Sequence, residues 1–360
     1  MTNAQQTQQE QGSLTASLVG RESQLAAFTS LLHETNSSNF TVISGSAGIG
    51  KTTLLKACEG VARNAGWRVV SDIPLKGLSD RMRGTYLPAL HESLTDQGQG
   101  QESFGKESLA AQVESLAEVL RLKGTGLLLT LDAVDRSCLP RLENLVEALV
   151  HAQKKGLPVQ LLMAGRTAEM REILESSVML PLGSPLRFDV CALTREQTES
   201  VLRQALESCP AIPHDSLSES LLSRACLATK GHPYMVYLVA EALRQQAQGE
   251  LSEAEVVSGI ASAQEKLGAS VLEPLLSKLS AGDRAFLEAM AQDESPSKMS
   301  DISARLGKNP QYAGVYRNRL LESQIIRSAS YGKVTFAIPH LREYLRALSV
   351  RRAEDSFNSF

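Results

Sequence analysis

The sequence predicts an α/β fold: a doubly wound, parallel-sheet domain over residues 19–192, then an all-helical segment over 193–275 and a winged-helix unit over 276–352. Three observations predict it. In the first half, continuous apolar runs of strand length alternate with amphipathic stretches, the pattern of strands buried on both faces by helices. Beyond about Leu193 the strand signals stop. The last sixty residues then read helix, turn, helix, hairpin.

Residues 1–18 carry Gln, Thr, Ser and Asn with few apolar anchors, so they are expected to form a disordered tail. From Val19-Gly20-Arg21-Glu22 a helical pattern runs through Leu25, Phe28, Leu31 and Leu32, and residues 40–44 read as a buried strand. A glycine-rich loop follows at once, and residues 53–65 carry helix formers. Residues 67–70 read as a second strand, 96–108 as a Gly/Gln/Ser loop and 109–122 as an amphipathic helix. The apolar run 126–132 ends in a carboxylate, 139–155 is helical, and 159–166 is a further buried strand. Helical patterns then cover 194–208, 216–229, 233–248 and 252–266, an all-helical lid. The final unit has helices at 279–290, 299–306 and 310–321 and a hairpin from 324–327 and 334–338, turning at Tyr331-Gly332.

Of the 360 residues, 42% are hydrophobic and 21% charged, the balance of a globular protein rather than a disordered chain. No run approaches the roughly 20 apolar residues that span a bilayer, and the polar N-terminus lacks a signal-peptide core, so a cytoplasmic protein without membrane partners is expected. The five cysteines are scattered, with no C-x-x-C pair, and read as reduced core thiols rather than metal ligands. A net charge of -3 conceals an asymmetry: residues 298–352 hold 11 Lys and Arg against 3 Asp and Glu, while the chain before them holds 26 against 35.

The loop Gly45-Ser46-Ala47-Gly48-Ile49-Gly50-Lys51-Thr52 has the spacing G-x-x-x-x-G-K-T between a strand and a helix, which predicts a P-loop NTPase fold for the first domain. Its glycines let backbone N–H groups turn onto phosphates at a helix N-terminus. Lys51 is suited to the β- and γ-phosphates, Thr52 to a Mg²⁺ ion, and Thr53 extends the cradle; the expected ligand is ATP with Mg²⁺. Asp132 ends the apolar strand where a carboxylate would hold the metal through water, although Asp is also a common helix cap. The next residue is Ala133, where many ATPases of this kind carry the glutamate that orients water. Asp135 is the candidate substitute base; as a carboxylate three residues on, it suits a cap equally. Arg166, ending the next strand, is placed either to sense a γ-phosphate or as an ordinary surface arginine.

In order along the chain, Val19-Gly20-Arg21-Glu22, the phosphate loop, residues 127–135, the strand ending Gly165-Arg166, and Gly231-His232-Pro233-Tyr234 resemble the STAND and Orc/Cdc6-like branch of the AAA+ ATPases. Residues 279–287 and 336–346 resemble the endings of bacterial members with a C-terminal winged helix. The resemblance implies that Arg21 lies near the adenine, that Pro233 opens a lid helix touching the nucleotide, and that nucleotide state sets the domain arrangement. Two departures stand out: Ala133, which implies slow turnover, and the lack of sensor repeats after the winged helix.

In the helix-turn-helix reading, 301–306 is the supporting helix and 311–321 the recognition helix. Tyr312, Arg317, Asn318 and Arg319 are the expected base-reading and backbone contacts to double-stranded DNA, with Lys308 and Lys333, together with Arg305 and Arg327, on phosphates. The alternative is an ATP-dependent oligomerising scaffold, a homo-oligomer or a partner of an unidentified protein, whose winged helix packs internally. A P-loop kinase is not favoured, because no acceptor-binding signature occurs.

Overall fold

In the computed structural model, residues 18–33, 40–94, 104–212, 218–247 and 249–357 are described. The expected tail therefore lies outside the described residues except for Leu18, as does most of the expected 96–108 loop. The chain forms two compact units. One holds Arg21–Gly45 and Gly50–Cys191; the other holds Ser46–Ile49 and the chain from Ala192 onward.

The first unit contains helix α1 (Glu22–His33), strand β1 (Phe40–Ser44), α2 (Lys51–Asn64), β2 (Arg68–Asp72), α3 (Leu78–Arg81), α4 (Leu87–Leu94), α5 (Leu109–Leu122), β3 (Leu127–Val134), α6 (Leu139–Lys154), β4 (Val159–Gly165), α7 (Thr167–Leu174) and β5 (Leu186–Asp189). Its five strands are parallel in the order β2-β3-β4-β1-β5. Every residue of β1 and β4 is buried, Thr41, Ser44 and Gln160 included, so neither strand shows the alternation of a half-exposed one. Ser44 pairs with Gly165 on one side and Asp189 on the other, so the C-terminal ends of β1, β4 and β5 are level. The chain leaves β1 for the far edge, returns through β3 and β4, and crosses to β5. The winding therefore switches direction between β1 and β4, and in open α/β sheets ligands bind outside the strand carboxyl ends at such a point.

Two features of this unit depart from expectation. Residues 78–94, unassigned by pattern, are helical, with a π-turn at Met82–Tyr86 between α3 and α4. A fifth strand, β5, lies at the sheet edge. It has four residues, of which only Phe188 is buried, too short and too exposed to give an apolar run.

The second unit contains α8 (Arg195–Glu207), α9 (Glu219–Thr229), α10 (Pro233–Gln246), α11 (Glu253–Leu267), α12 (Glu273–Ser277), α13 (Ala281–Ala291), β6 (Ser297–Lys298), α14 (Met299–Leu306), α15 (Pro310–Glu322), β7 (Ile326–Ser330), β8 (Lys333–Phe336) and α16 (Leu341–Phe357). Thr194 and Ser252 open α8 and α11 with capping boxes that satisfy the first free N–H groups. The three short strands form an antiparallel sheet in the order β6-β8-β7. One hydrophobic cluster runs from Leu202 through Met235, Phe286 and Leu320 to Leu345, so the expected lid and C-terminal segments share a single core.

Candidate functional site

The phosphate loop leaves β1 and closes on α2. Gly48 and Gly50 hold φ values of 71° and 95°, the left-handed region that a side chain resists. Gly50 caps α2, and no acidic side chain stands in the first turn of that helix to compete for an anion.

Within the first unit, Lys51 and Thr52 start α2 while Asp132 ends the apolar stretch of β3. Thr52 donates its hydroxyl to Asp132 Oδ2 over 2.7 Å. The backbone N–H of Ala133 donates to Asp132 Oδ1 at 2.7 Å, so both carboxylate oxygens are oriented. Burial holds the Lys51 ammonium below its usual range; Asp132 opposes that shift, Arg166 adds to it and Glu169 again opposes it. Arg166, just past β4, is ion-paired with Glu169 one helical turn on. Lys51, Thr52, Asp132 and Arg166 are thus gathered at the carboxyl ends of adjacent strands. Thr53 follows, exposed, on the same first turn of α2.

Ala133 lies at φ 53° beside an irregularity in the β3–β4 pairing between Leu131 and Val134. It is exposed and carries no group to activate water. Asp135 is occupied as a cap: its Oδ1 accepts the Ser137 N–H at 2.8 Å and the Ser137 hydroxyl at 2.6 Å. The Ser137 bonds lower the Asp135 carboxyl below its usual range, which makes it a weaker proton acceptor. Arg21 is buried, donates to the carbonyl of Cys191 at 2.6 Å, and is lowered by that burial.

Sequence reasoning did not single out Glu59. Its buried carboxylate accepts the Thr130 hydroxyl at 2.6 Å, the Ser71 hydroxyl, and Arg63 at 3.0 Å. It ties α2 to β2 and β3 and so fixes the helix that carries Lys51. A polar residue in the middle of a predicted helix gives little warning of such a role.

In the second unit, Gly231-His232-Pro233 opens α10. Pro233 takes the first helical position, where a missing N–H costs nothing. His232 is buried; its Nδ1 accepts the Met235 N–H at 3.4 Å and its Nε2 lies 2.9 Å from the Ala47 carbonyl. The Tyr234 N–H donates to the Gly48 carbonyl at 3.3 Å.

The expected DNA-contact residues are distributed as follows. Asn309 caps α15 by accepting the Tyr312 N–H at 2.8 Å. The Tyr316 hydroxyl donates to that of Tyr312 at 2.9 Å, and Lys308 lies over the Tyr312 ring. Arg317 bonds its neighbour Asn318 at 3.3 Å. Arg319 pairs with the buried Asp283 at 3.0 Å, and Arg305 with Asp293. These two arginines hold α15 and α14 to the α13 region, so the positive surface is smaller than the charge count suggests. Lys333 is the strand partner of Lys298, which places two like charges side by side on one face of the sheet.

The residues present fit a nucleoside triphosphate with a divalent ion: a left-handed glycine loop, a desolvated lysine, and a hydroxyl beside a carboxylate. Among the described residues there is no cluster of three His, Cys, Asp or Glu side chains that would hold a metal alone. Among the described residues no helix is long and apolar enough to cross a membrane.

This is the fold of the Walker-type P-loop ATPases. A Walker-type ATPase of Pyrococcus abyssi superimposes with a TM-score of 0.69 at 12% identity, covering 92% of this chain and 97% of that one. The ORC2 protein of Aeropyrum pernix, in ADPNP–ADP complexes, gives 0.65 at 17% identity over 93% and 96% of the two chains. Its ADP form gives 0.55 at 16% identity over 91% of each. A family model described as a domain of unknown function (DUF8462) matches residues 269–345. No curated protein matches the sequence.

Proposed function

We propose that the chain is an ATP-binding switch and a slow ATPase at most, in which nucleotide state acts on a C-terminal winged-helix module that binds double-stranded DNA. The Thr52–Asp132 hydrogen bond carries the reading, because it joins the two groups that would hold Mg²⁺. Lys51 would neutralise the β- and γ-phosphates, with Arg166 near enough to Lys51 to respond to the same charge. Bound Mg²⁺ would offset the remaining phosphate charge. The crown of the loop, Ser46–Ile49, belongs to the helical unit, where the Ala47 carbonyl meets His232 at the start of α10. Arg21 and Pro233 are proposed for the adenine side by resemblance. Ala133 and the capped Asp135 favour binding over rapid turnover.

The helices α13 to α15, the β6-β8-β7 sheet and the cations Lys298, Lys308, Arg317, Arg327 and Lys333 support the DNA reading. A second reading is favoured by the pairs Arg319–Asp283, Arg305–Asp293 and Arg346–Glu294: the module packs internally and the chain works as an ATP-dependent oligomerising scaffold. Lys51→Ala tests the nucleotide site: ATP with Mg²⁺ is expected to raise the thermal midpoint of the wild type and not of the variant. Fluorescent duplex DNA at low salt separates the two readings, since no binding with or without ATP leaves only the scaffold.

A further inference from the structure

The imidazole of His232 faces two backbone groups of opposite demand. The Met235 N–H is a donor and needs a bare Nδ1; the Ala47 carbonyl is an acceptor and needs a proton on Nε2. One neutral tautomer satisfies both. The ring is buried, and a Cβ built on Gly48 would come within 2.5 Å of its Cε1, so the imidazole occupies the space that glycine leaves at that position. The next peptide is held too, its Gly48 carbonyl accepting from the Tyr234 N–H at 3.3 Å. All these atoms belong to one compact unit.

In a trans peptide the C=O and the following N–H point in opposite directions. Fixing the Ala47 carbonyl toward His232 therefore turns the Gly48 N–H the other way, and fixing the Gly48 carbonyl toward Tyr234 does the same for the Ile49 N–H. Those amides are the donors a phosphate loop offers to an anion.

We propose that His232 is a positioning residue for the phosphate loop: its Nε2–H holds the Ala47 carbonyl so that the loop amides are aimed at the nucleotide's phosphates before it binds. The proposal rests on the nucleotide reading above. It goes beyond that reading by giving a side chain outside the loop control of affinity without contact to the ligand.

Two substitutions separate the two jobs of the ring. His232→Asn keeps a side-chain acceptor for the helix start but is too short to reach Ala47, whereas His232→Gln places an amide N–H near the Nε2 position and is a poor cap. Titration of ATP·Mg²⁺ into full-length protein is the readout, with the unfolding transition of the nucleotide-free variant as the check on folding. Affinity is expected to fall about fivefold in His232→Asn, the worth of one neutral hydrogen bond, and to stay near wild type in His232→Gln. The opposite order, with Asn binding like wild type and Gln weakened, overturns the proposal. If only His232→Gln folds, wild-type affinity in it supports the proposal and reduced affinity overturns it. If the wild type itself binds no ATP, the nucleotide reading fails and the positioning role falls with it; if the wild type binds and neither variant changes affinity, the positioning role alone fails.

Discussion

Thr52 Oγ1 and Asp132 Oδ2 lie 2.7 Å apart across 80 residues of chain, joining the first turn of α2 to the end of β3. Asp132→Asn is isosteric and still accepts from Thr52 but lacks the charge that a divalent ion requires. The variant is expected to bind ATP in EDTA as the wild type does and to lose most of the gain in affinity that Mg²⁺ brings. An undiminished Mg²⁺ effect would remove Asp132 from the metal site.

Ala133 is held in the left-handed region, which costs a residue with a Cβ about 1–2 kcal/mol. Ala133→Gly relieves that cost, partly offset by glycine's greater freedom in the unfolded chain, so a net stabilisation of about 1 kcal/mol is expected. Chemical denaturation followed on the first unit measures it. A destabilised glycine variant would mean that the alanine methyl makes a compensating contact.

His340 is buried in the second unit, in the left-handed conformation, and burial pushes its pKa down to about 4, with Lys230 adding to the shift and Glu343 opposing it. The unfolded imidazole titrates near 6.5 and the folded one near 4. Between those values the unfolded chain binds more protons, so stability falls as pH drops from 6.5 toward 4, by up to about 1.4 kcal/mol per pH unit, and is level above 6.5. His340→Asn tolerates the backbone and does not titrate; its stability should fall less steeply over the same window. Equal slopes would show that His340 titrates normally.

Lys298, Arg317 and Lys333 are the cations on which DNA contact would depend. Each changed to Ala should weaken duplex binding similarly across sequences, and removing one cation from a phosphate should lower the salt slope by about 1. Arg319→Ala is expected to act through the fold instead: it leaves the buried Asp283 without its cation, at a cost of about 1–3 kcal/mol. A sequence-selective loss of binding from Arg317→Ala would mean that this side chain reads a base rather than a phosphate.

The strands β1, β3 and β4 were legible because a strand covered on both faces is dominated by apolar residues without alternation, and the phosphate loop because its residue types and spacing follow from the chemistry of binding phosphate. β5 was not, since an edge strand with one buried residue carries no apolar run. The helical stretch 78–94 is hidden in the sequence because a π-turn at a glycine breaks its period. Charge counting overstated the basic surface, because it cannot see that Arg319 and Arg305 are matched by Asp283 and Asp293 from distant turns. His232 reads as a lone histidine, and only the folded chain brings its Nε2 to Ala47, 185 residues away.

Calorimetric titration of ATP·Mg²⁺ into the wild type and into Lys51→Ala tests the central claim most directly. Saturable binding by the wild type and none by Lys51→Ala is the result expected of a desolvated lysine at the head of the phosphate helix. No binding by the wild type, or equal binding by both, would contradict it.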